Sequence, residues 1–308
     1  MLWVQTTTTR PSTVLTNPSI PICWVSPHGI CCDFVRCLPV AEFNLQLLDS
    51  EINDFLKQIH IVRAAPSPTF LAHIVSGIVE HVPFQNITML TGPRHRPSEE
   101  WIKAEMLSGL GGLCTARNPF LYSLLKGLGF EVRFVSSTIL EPDCHISLIV
   151  TVGDGEWWVD VGNGYPYFSP IRLGDETPQS NWFFQYRLVQ NGPRFEVQHA
   201  FSGADWTVNH HFSPDGVDFS VFDHMHEMHY KQPGWGPFLT GLRVNRFWSD
   251  GGAILKDHQA TSPSGAESLS EASELLAWLR QWFEPNFWNH IDIDLAWKRW
   301  KNTLEVMQ

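Results

Sequence analysis

Hydrophobic residues in the first half of the chain recur at helical spacing in four segments. Apolar side chains three or four residues apart fall on one face of a helix. Polar residues that can cap a helix, Asp49 or Ser50 and later Ser67, stand at the start of the first two segments. The pattern predicts helices that begin near Asp49 and Ser67, a third over Glu99–Leu107, and a fourth from Cys114 to a glycine stop at Gly129.

Beyond Gly129 the hydrophobic pattern changes to alternating or continuous runs rich in valine, isoleucine, phenylalanine and tryptophan, which are typical of strands. Because helices come first, strands next and mixed elements last, the order predicts an α+β fold and not a parallel βαβ series. A hairpin turned at Asp250-Gly251-Gly252 precedes two more helices. The predicted strands are Glu131–Ser137, His145–Val152, Glu156–Val161, Leu242–Trp248 and Ala253–Leu255, and the last helices are Ser268–Phe283 and Ile291–Leu304.

Composition narrows the classes of function. The chain has 308 residues, enough for two or three subdomains, and a formal net charge of −11. That acidity argues against general nucleic-acid binding, which needs basic side chains to neutralise phosphates. No apolar run approaches the roughly 20 residues that span a bilayer, and the threonine-rich start lacks the pattern of a secretory signal. We therefore expect a cytoplasmic protein that binds neither nucleic acid nor membrane.

Two clusters contain potential metal ligands. The first, near the N-terminus, has no CxxC pair and an irregular spacing, so we predict no zinc site there. The second is a set of histidines that we expect to be solvated or packed. The first comprises Cys23, His28, Cys31, Cys32 and Cys37, and the second His210, His211, His224, His226 and His229.

The strongest candidate for chemistry is Cys114, which follows Gly111-Gly112-Leu113 and opens the fourth predicted helix. The glycines let the chain turn sharply, and the helix dipole with its unpaired amides favours thiolate over thiol. The same amides can stabilise the oxyanion of a tetrahedral intermediate. A cysteine at such a junction is by itself more often a small buried residue, so its context has to decide.

A histidine and an aspartate downstream supply the other members of a candidate triad. His145 begins one predicted strand, and Asp160 lies in the next, 15 residues later. A loop centred on Val152-Gly153 would set the two side chains opposite each other. A two-residue turn at Asp154-Gly155 would instead pair Asp160 with Ile149, roughly 14 Å from His145. The triad requires the first arrangement, whereas the turn residues favour the second.

The order of these features resembles the arylamine N-acetyltransferase family. In that family a Gly-Gly-x-Cys opens a helix, a histidine begins a strand, and an aspartate follows in a Val-Asp-Val-Gly segment. The similarity runs from about residue 47 to the C-terminus and includes five segments in the family's order. They are His81-Val-Pro-Phe-Gln-Asn-Ile-Thr-Met-Leu, Gly111-Gly-Leu-Cys-Thr-Ala-Arg-Asn, Gly127-Leu-Gly-Phe-Glu-Val, Cys144-His-Ile-Ser-Leu-Ile-Val and Trp158-Val-Asp-Val-Gly-Asn-Gly.

The resemblance implies a three-part fold with a core like that of cysteine proteases. After an N-terminal extension (1–46), a helical bundle (47–129) carries the cysteine. A central antiparallel β-barrel (130–235) carries the histidine and aspartate, and an α/β lid (236–308) completes the chain. The resemblance also assigns substrate contacts to Phe84, Gly111, Gly112, Leu113, Asn163 and Gly164.

The implied reaction is acyl transfer through an acyl-cysteine. His145 holds Cys114 as thiolate or takes its proton, and Asp160 orients the imidazole. The thiolate attacks an acyl thioester, carried by coenzyme A or by an acyl or peptidyl carrier protein, and a small amine then takes the acyl group as an amide. The mechanism requires neither a metal nor a bound cofactor.

Four positions depart from the family's pattern. Leu110 replaces the arginine before the glycines, and Gln85 replaces the glutamate that pairs with it. Ala116 replaces a glutamate or glutamine, and Asn163 replaces an aromatic residue of the acceptor pocket. Loss of both charges together is tolerable because neither is left unpaired in the core.

These departures leave the acyl-cysteine chemistry intact and change its surroundings. We therefore expect an acyltransferase with a specialised acceptor, as in the family's amide synthases of antibiotic biosynthesis. One alternative is an ordinary acetyl-CoA-dependent arylamine or hydrazine N-acetyltransferase. Another is a homologue that binds ligands without catalysis.

Overall fold

Five helices fill the first part of the chain in the computed structural model, which describes residues 43–307. Ser67 caps the second helix by accepting from the Phe70 amide, and Ser98 caps the fourth by accepting from the Trp101 amide. The elements are α1 Asp49–Gln58, α2 Pro68–His81, the short strand β1 Phe84–Gln85, α3 Ile87–Thr91, α4 Glu99–Leu107 and α5 Cys114–Gly127.

The start of α1 differs from the sequence prediction. Its cap position belongs to Leu48, so neither Asp49 nor Ser50 is the cap. Leucine has no side chain that can accept a hydrogen bond, and the Glu51 carboxylate instead accepts from the Leu48 amide at 2.7 Å. This is one half of a capping box, and it satisfies an amide that the helix itself leaves unpaired.

Eight strands then form one antiparallel sheet. They are β2 Glu131–Thr138, β3 His145–Val152, β4 Gly155–Val159, β5 Ile171–Arg172, β6 Gln179–Ser180, β7 Gln185–Asn191, β8 Arg194–Ala200 and β9 Thr207–Phe212. Their order across the sheet is β5-β4-β3-β2-β9-β8-β7-β6, and the sheet is curled into a half-barrel. Alternate residues contribute to two cores, because Phe134 and Leu148 pack with the helices while Val135 and Ile149 pack in a separate core formed within the sheet region.

The last part of the chain builds a second antiparallel sheet with helices. Its elements are a 3₁₀ helix Phe219–Phe222, α6 Asp223–Lys231, β10 Arg243–Trp248, β11 Gly251–Lys256, β12 Gln259–Ser262, β13 Gly265–Ser268, α7 Ala272–Trp282, α8 Pro285–Trp288 and α9 Ile293–Met307. The hairpin turn consists of Ser249 and Asp250 and not of Asp250-Gly251-Gly252 as predicted, because Trp248 pairs with Gly251. β1 (Phe84–Gln85), which precedes the candidate nucleophile in the chain, pairs with β10 and so belongs to this sheet.

The predicted α+β class is confirmed by this arrangement. The domain boundaries at 129 and 235 stay predictions. Within residues 43–307, no helix combines the length and the apolar character needed to cross a membrane. Most of the N-terminal extension lies outside the described residues, including its potential metal ligands Cys23, His28, Cys31, Cys32 and Cys37.

Helix α4 buries a carboxyl group whose ionisation opposes folding. Glu105 is 8% exposed, and burial raises its pKa from 4.5 to about 7, although hydrogen bonds with Trp101 and Thr88 lower it in part. The folded state therefore binds the proton more tightly than the unfolded state, and the cost of ionisation accumulates as the pH rises from 4.5 to about 7. We expect Glu105→Gln to raise the free energy of unfolding by about 3 kcal/mol near pH ~8.5 and by less than about 1 kcal/mol near pH ~5, measured in urea.

The exposed Glu141 offers the matched control for this prediction. Glu141→Gln should change the free energy of unfolding by less than about 0.5 kcal/mol at either pH. An equal stabilisation by Glu105→Gln at both pH values would contradict the prediction, because the gain would then not come from removing a charge.

Candidate active site

Cys114 lies at the first position of α5 and is 4% exposed. The turn before it needs glycine at Gly111, where φ is +72° and a Cβ would lie 1.9 Å from the Pro83 carbonyl oxygen. The backbone amides of Cys114 and Thr115 have no hydrogen-bond acceptor within the described chain. Both amides are therefore available to an anion or a developing oxyanion at the start of the helix.

The turn between β3 and β4 decides how the other two candidate residues meet. Val152 pairs with Gly155, so the turn consists of Gly153 and Asp154. Gly153 has a φ of +64°, as the first position of a type II′ turn requires. Both placements considered from the sequence are therefore wrong, because the turn is neither a loop centred on Val152-Gly153 nor a turn at Asp154-Gly155.

The observed register makes His145 and Asp160 diagonal neighbours. Leu148 pairs with Val159, so Asp160, one residue beyond β4, lies level with Ser147, and His145 is two residues further along the same face. Their side chains close the diagonal, since His145 Nε2 lies 2.7 Å from Asp160 Oδ2 and both are buried. His145 also forms a hydrogen bond with Cys114. The three residues predicted from the sequence thus lie together.

The charges of the pair are coupled. Burial alone would lower the pKa of His145, but the Asp160 carboxylate and the hydrogen bonds with Asp160 and Cys114 outweigh it and raise that pKa well above its ordinary value. Burial likewise acts to raise the pKa of Asp160, and the His145 charge and hydrogen bond lower it further than burial raises it. The site therefore favours an imidazolium at His145, between the Asp160 carboxylate and Cys114.

Asn118 connects α5, β3 and the segment after β4 at this site, although no role was predicted for it from the sequence. It lies one helical turn after Cys114 on α5. Its Nδ2 donates to the Ile146 carbonyl at 2.6 Å and to Asp160 Oδ1 at 2.9 Å, and its Oδ1 accepts from the Val161 amide at 3.0 Å. The spacing of four residues from the cysteine was the available signal, because it places both side chains on one helix face.

Two further residues allow the segment after β4 to approach α5. A Cβ at Gly162 would lie 2.6 Å from the Cα of Cys114, so only glycine fits there. The buried Arg117 donates through Nε to the Val161 carbonyl and through Nη1 to the Val82 carbonyl. Burial lowers the pKa of Arg117 to about 9, against the attraction of the Asp160 carboxylate. The guanidinium remains charged near neutral pH and joins two loops to the helix.

Four of the six residues assigned to substrate contacts shape the entrance to α5. Gly111 and Gly112 form its turn, and Phe84 makes a parallel bridge with Gly112. A Cβ at Gly164 would lie 3.0 Å from the Phe84 ring. The fifth, Leu113, joins a small buried apolar cluster of Phe84, Met89, Leu113, Tyr230 and Leu239. Their contacts with substrate stay predictions.

The sixth residue, Asn163, begins a polar array beside the triad. Asn163 Nδ2 donates to Asn209 Oδ1 at 3.3 Å, and His210 Nδ1 lies 2.8 Å from the same oxygen. The His210 ring is buried, 5.4 Å from the His145 ring between centroids, and its Nε2 has no partner within the described residues. Burial lowers the pKa of His210 well below its ordinary value, so this imidazole is neutral.

His145, Asp160 and His210 are also the single group of potential metal ligands found in residues 43–307, with ligand atoms within 4.8 Å of one another. However, His145 Nε2 and Asp160 Oδ2 are only 2.7 Å apart. Two ligands of a tetrahedral zinc ion with bonds of about 2 Å lie about 3.3 Å apart, so these two atoms are too close together to share the ion. The geometry is that of a hydrogen-bonded pair with a neighbouring histidine, and the absence of a metal requirement stays a prediction.

The other departures from the family's pattern are accommodated by packing. Gln85 is buried and makes two hydrogen bonds with Thr88. Gln85 Nε2 donates to Thr88 Oγ1 at 3.0 Å, and Gln85 Oε1 accepts from the Thr88 backbone amide at 3.1 Å. Leu110 packs against the core of the second sheet, and Ala116 lies in the helical core. No unpaired charge results at Gln85 or Leu110, as expected for a joint replacement of two ionic partners.

The histidine-rich stretch divides into packed and solvated side chains, as its sequence predicted. His226 and His229 are buried on α6, whereas His224 is exposed. Burial lowers the pKa of His226 to about 3 and that of His229 to about 4, so both are neutral. His211 is half-buried on β9. His210 joins His145 and Asp160 in one group of potential ligands, and the charge of His145 also helps to lower the pKa of His229.

The profile of the N-acetyltransferase family matches residues 69–287. The arylamine N-acetyltransferase / N-hydroxyarylamine O-acetyltransferase of Salmonella typhimurium is 32% identical over 127 residues, 38% of this chain and 45% of that protein. Proansamycin X synthase of Amycolatopsis mediterranei is 28% identical over 113 residues, 34% of this chain and 43% of that protein. Each of these two matches spans less than half of the relative.

Comparison of folds gives a longer match. The arylamine N-acetyltransferase of Mycobacterium marinum in complex with CoA superposes with a TM-score of 0.71 at 22% identity, covering 82% of this chain and 99% of that one. At this level of identity the likeness establishes a shared fold, and the arylamine N-acetyltransferase-like architecture predicted from the sequence is confirmed.

Proposed function

Because the chain belongs to the N-acetyltransferase family and is an acyltransferase, we propose that Cys114, His145 and Asp160 are its catalytic triad and that the acyl group passes through Cys114. The observation that carries the proposal is the buried line of hydrogen bonds from Cys114 through His145 to Asp160. A nucleophile, a base within reach of it and a group that orients the base are the parts that covalent acyl transfer needs.

Each group has one task in the proposed reaction. The Cys114 thiolate attacks the carbonyl carbon of an acyl thioester, and a C–S bond forms. The donor's thiolate leaves and takes a proton from the His145 imidazolium. Neutral His145 then accepts a proton from the amine as its nitrogen attacks the acyl-cysteine, and the amide leaves with the Cys114 thiolate restored. Asp160 holds the ring and stabilises its charge throughout.

We propose an acyl-CoA as the donor. The support is the fold shared with a protein that was solved in complex with CoA. An acyl or peptidyl carrier protein is the alternative donor, since both present the acyl group as a thioester. The similarity to a protein named as a synthase of proansamycin X supports an amide-forming role in natural-product biosynthesis.

The first test of the triad is modification of Cys114. Intact-mass spectrometry after incubation with a panel of acyl-CoAs and carrier-bound thioesters should show one added acyl group, mapped to Cys114. Iodoacetamide near pH ~6 should also label Cys114 well ahead of the other five cysteines although Cys114 is 4% exposed, because an imidazolium beside a cysteine generally increases its reactivity.

Cys144, half-buried and adjacent to His145 in the chain, is the matched control. Cys144→Ser should be acylated and alkylated like the unchanged protein, whereas Cys114→Ser should lose both reactions. Equal labelling of all six cysteines in the folded protein would overturn the triad. Brisk alkylation of Cys114 with no acylation by any donor would favour the non-catalytic, ligand-binding alternative.

The acceptor that we propose is a specialised amine and not a simple aniline. Asn163 and its hydrogen-bond partners present polar groups beside the triad, where a flat aromatic ring would need apolar surface. We expect weak turnover of anilines and hydrazines with acetyl-CoA even when Cys114 is fully reactive. Missing contacts of this kind lower turnover as well as affinity if they act in the transition state.

Asn163→Phe tests this acceptor prediction directly. A new ring contact is worth about 1 kcal/mol, so the variant should acetylate anilines about five- to tenfold faster than the unchanged protein. Steady-state release of CoA provides the measurement. Brisk aniline acetylation by the unchanged protein would instead support the ordinary arylamine N-acetyltransferase function, which the 32% identity to the Salmonella typhimurium protein favours.

A further inference from the structure

Helix α6 places a tyrosine at the start of α5, in contact with the residue that follows the nucleophile. The Tyr230 hydroxyl oxygen lies 3.1 Å from Thr115 Oγ1, and Thr115 directly follows Cys114. Tyr230 is 5% exposed and Thr115 is fully buried. The contact joins residues 115 positions apart in the chain. It belongs to neither the hydrogen bonds of the triad nor the contacts of Asn118.

The two hydroxyls have one donor more than they use. Each O–H is one donor, and their mutual hydrogen bond consumes only one of the two hydrogens. No other side-chain hydrogen bond of Tyr230 or Thr115 exists within residues 43–307. When Thr115 donates to the phenol oxygen, the hydrogen left without an acceptor is that of the Tyr230 hydroxyl. A buried donor without a partner is costly, and such groups in native proteins call for an explanation.

The surroundings keep the phenol protonated and dry. Burial raises the pKa of Tyr230 well above its ordinary value, and the charges of Glu105 and Cys114 raise it further, although the Thr115 hydrogen bond lowers it in part. The apolar side chains of Phe84, Leu113 and Leu239 share a buried cluster with the Tyr230 ring. A hydrogen-bond donor in such a medium interacts more strongly with a developing negative charge than it would in water.

We propose that Tyr230 is a further catalytic residue whose hydroxyl donates a hydrogen bond to the carbonyl oxygen of the acyl group as Cys114 attacks. The inference rests on the acyl transfer proposed above. When the Cys114 sulfur bonds to the carbonyl carbon, the π electrons of the C=O bond move to oxygen. Tyr230 stabilises that oxyanion and keeps its proton, together with the free amides of Cys114 and Thr115. Thr115 is a positioning residue that holds the phenol.

Tyr230→Phe separates this role from an effect on the cysteine itself. Acylation of Cys114 by a thioester passes through an oxyanion, whereas alkylation by iodoacetamide is a substitution at a saturated carbon and does not. Removal of one oxyanion donor costs about 10²- to 10³-fold in other enzymes, so the variant should be acylated about 100-fold more slowly. Its alkylation rate should stay within about twofold. Both rates are measured on the same protein by quenching each reaction at set times and determining the modified fraction of Cys114 by mass spectrometry.

Two variants complete the experiment. Tyr122→Phe removes the hydroxyl of a half-buried tyrosine elsewhere on α5 and should change neither rate. Thr115→Ser keeps the hydroxyl that positions the phenol, so acylation should stay within about threefold of the unchanged protein, and a loss as large as that of Tyr230→Phe would contradict the positioning role. A parallel loss of acylation and alkylation in Tyr230→Phe would overturn the proposal, as would no loss of either. Failure of the unchanged protein to accept any acyl group, with alkylation intact, would overturn acyl transfer itself and this proposal with it.

Discussion

Replacement of Asp160 by asparagine should slow acylation of Cys114 by about 10⁴-fold, as loss of the orienting carboxylate does in serine-protease triads. Asp160 Oδ1 accepts from Asn118 Nδ2 and the Gly162 amide, and Oδ2 accepts from His145 Nε2. The side-chain nitrogen of the new asparagine cannot occupy the position of Oδ1, because it would be a third donor facing the two donors Asn118 Nδ2 and the Gly162 amide. It therefore takes the position of Oδ2, next to His145. His145 Nε2 must then accept, and its proton moves to the other ring nitrogen, which can no longer take a proton from Cys114.

The measurement is the single-turnover rate of acylation with the donor that acylates the unchanged protein. Asp154→Asn is the matched control, because it makes the same substitution in the turn of the same hairpin at an exposed position. That variant should retain its rate within about twofold. An acylation rate for Asp160→Asn within about tenfold of the unchanged protein would show that the carboxylate does not set the tautomer, and the triad would have to be reassigned.

Replacement of Asn118 by leucine should lower the free energy of unfolding by about 4 kcal/mol. The isosteric side chain removes three buried hydrogen bonds and leaves the Ile146 carbonyl and the Val161 amide without this partner. Each buried polar group left unpaired costs about 1–3 kcal/mol, and neighbouring losses are not fully additive. Urea unfolding measures the change, and the folded fraction should also lose acylation because Asp160 is no longer held.

Asn53→Leu tests whether any helical asparagine would behave alike. Asn53 lies on α1 and accepts one hydrogen bond, from Arg63, at a half-buried position. We expect a change of less than about 0.5 kcal/mol for this variant. Comparable destabilisation by the two substitutions would contradict the special role of Asn118 as the connection between α5, β3 and the segment after β4.

Much of the local structure followed from patterns within a few residues. Helix α4 and strand β3 have the predicted bounds, Glu99–Leu107 and His145–Val152, because caps and apolar periodicity act over short distances. The position of Cys114 at a helix start followed from two glycines and an apolar stripe in the same way. The order of Cys114, His145 and Asp160 along the chain was sufficient to suggest the triad before any contact was known.

The mutual geometry of those residues depended on packing. A period of two tells which face of a sheet a side chain occupies, but the register of a hairpin depends on the turn. Here Gly153 adopts a φ of +64°, so the turn consists of Gly153 and Asp154. His145 and Asp160 therefore lie diagonally across the two strands and not directly opposite each other, as the triad had been expected to require.

The contacts that support the triad were beyond the reach of local patterns for a similar reason. Asn118 bonds across 28 residues to the Ile146 carbonyl and across 42 to Asp160, and Tyr230 meets Thr115 across 115. Amino-acid type shows that such a group needs a partner when it is buried, but not which partner it finds. That choice is made when α5, α6 and the curled sheet pack together, because only then do donors and acceptors from distant segments lie within about 3 Å.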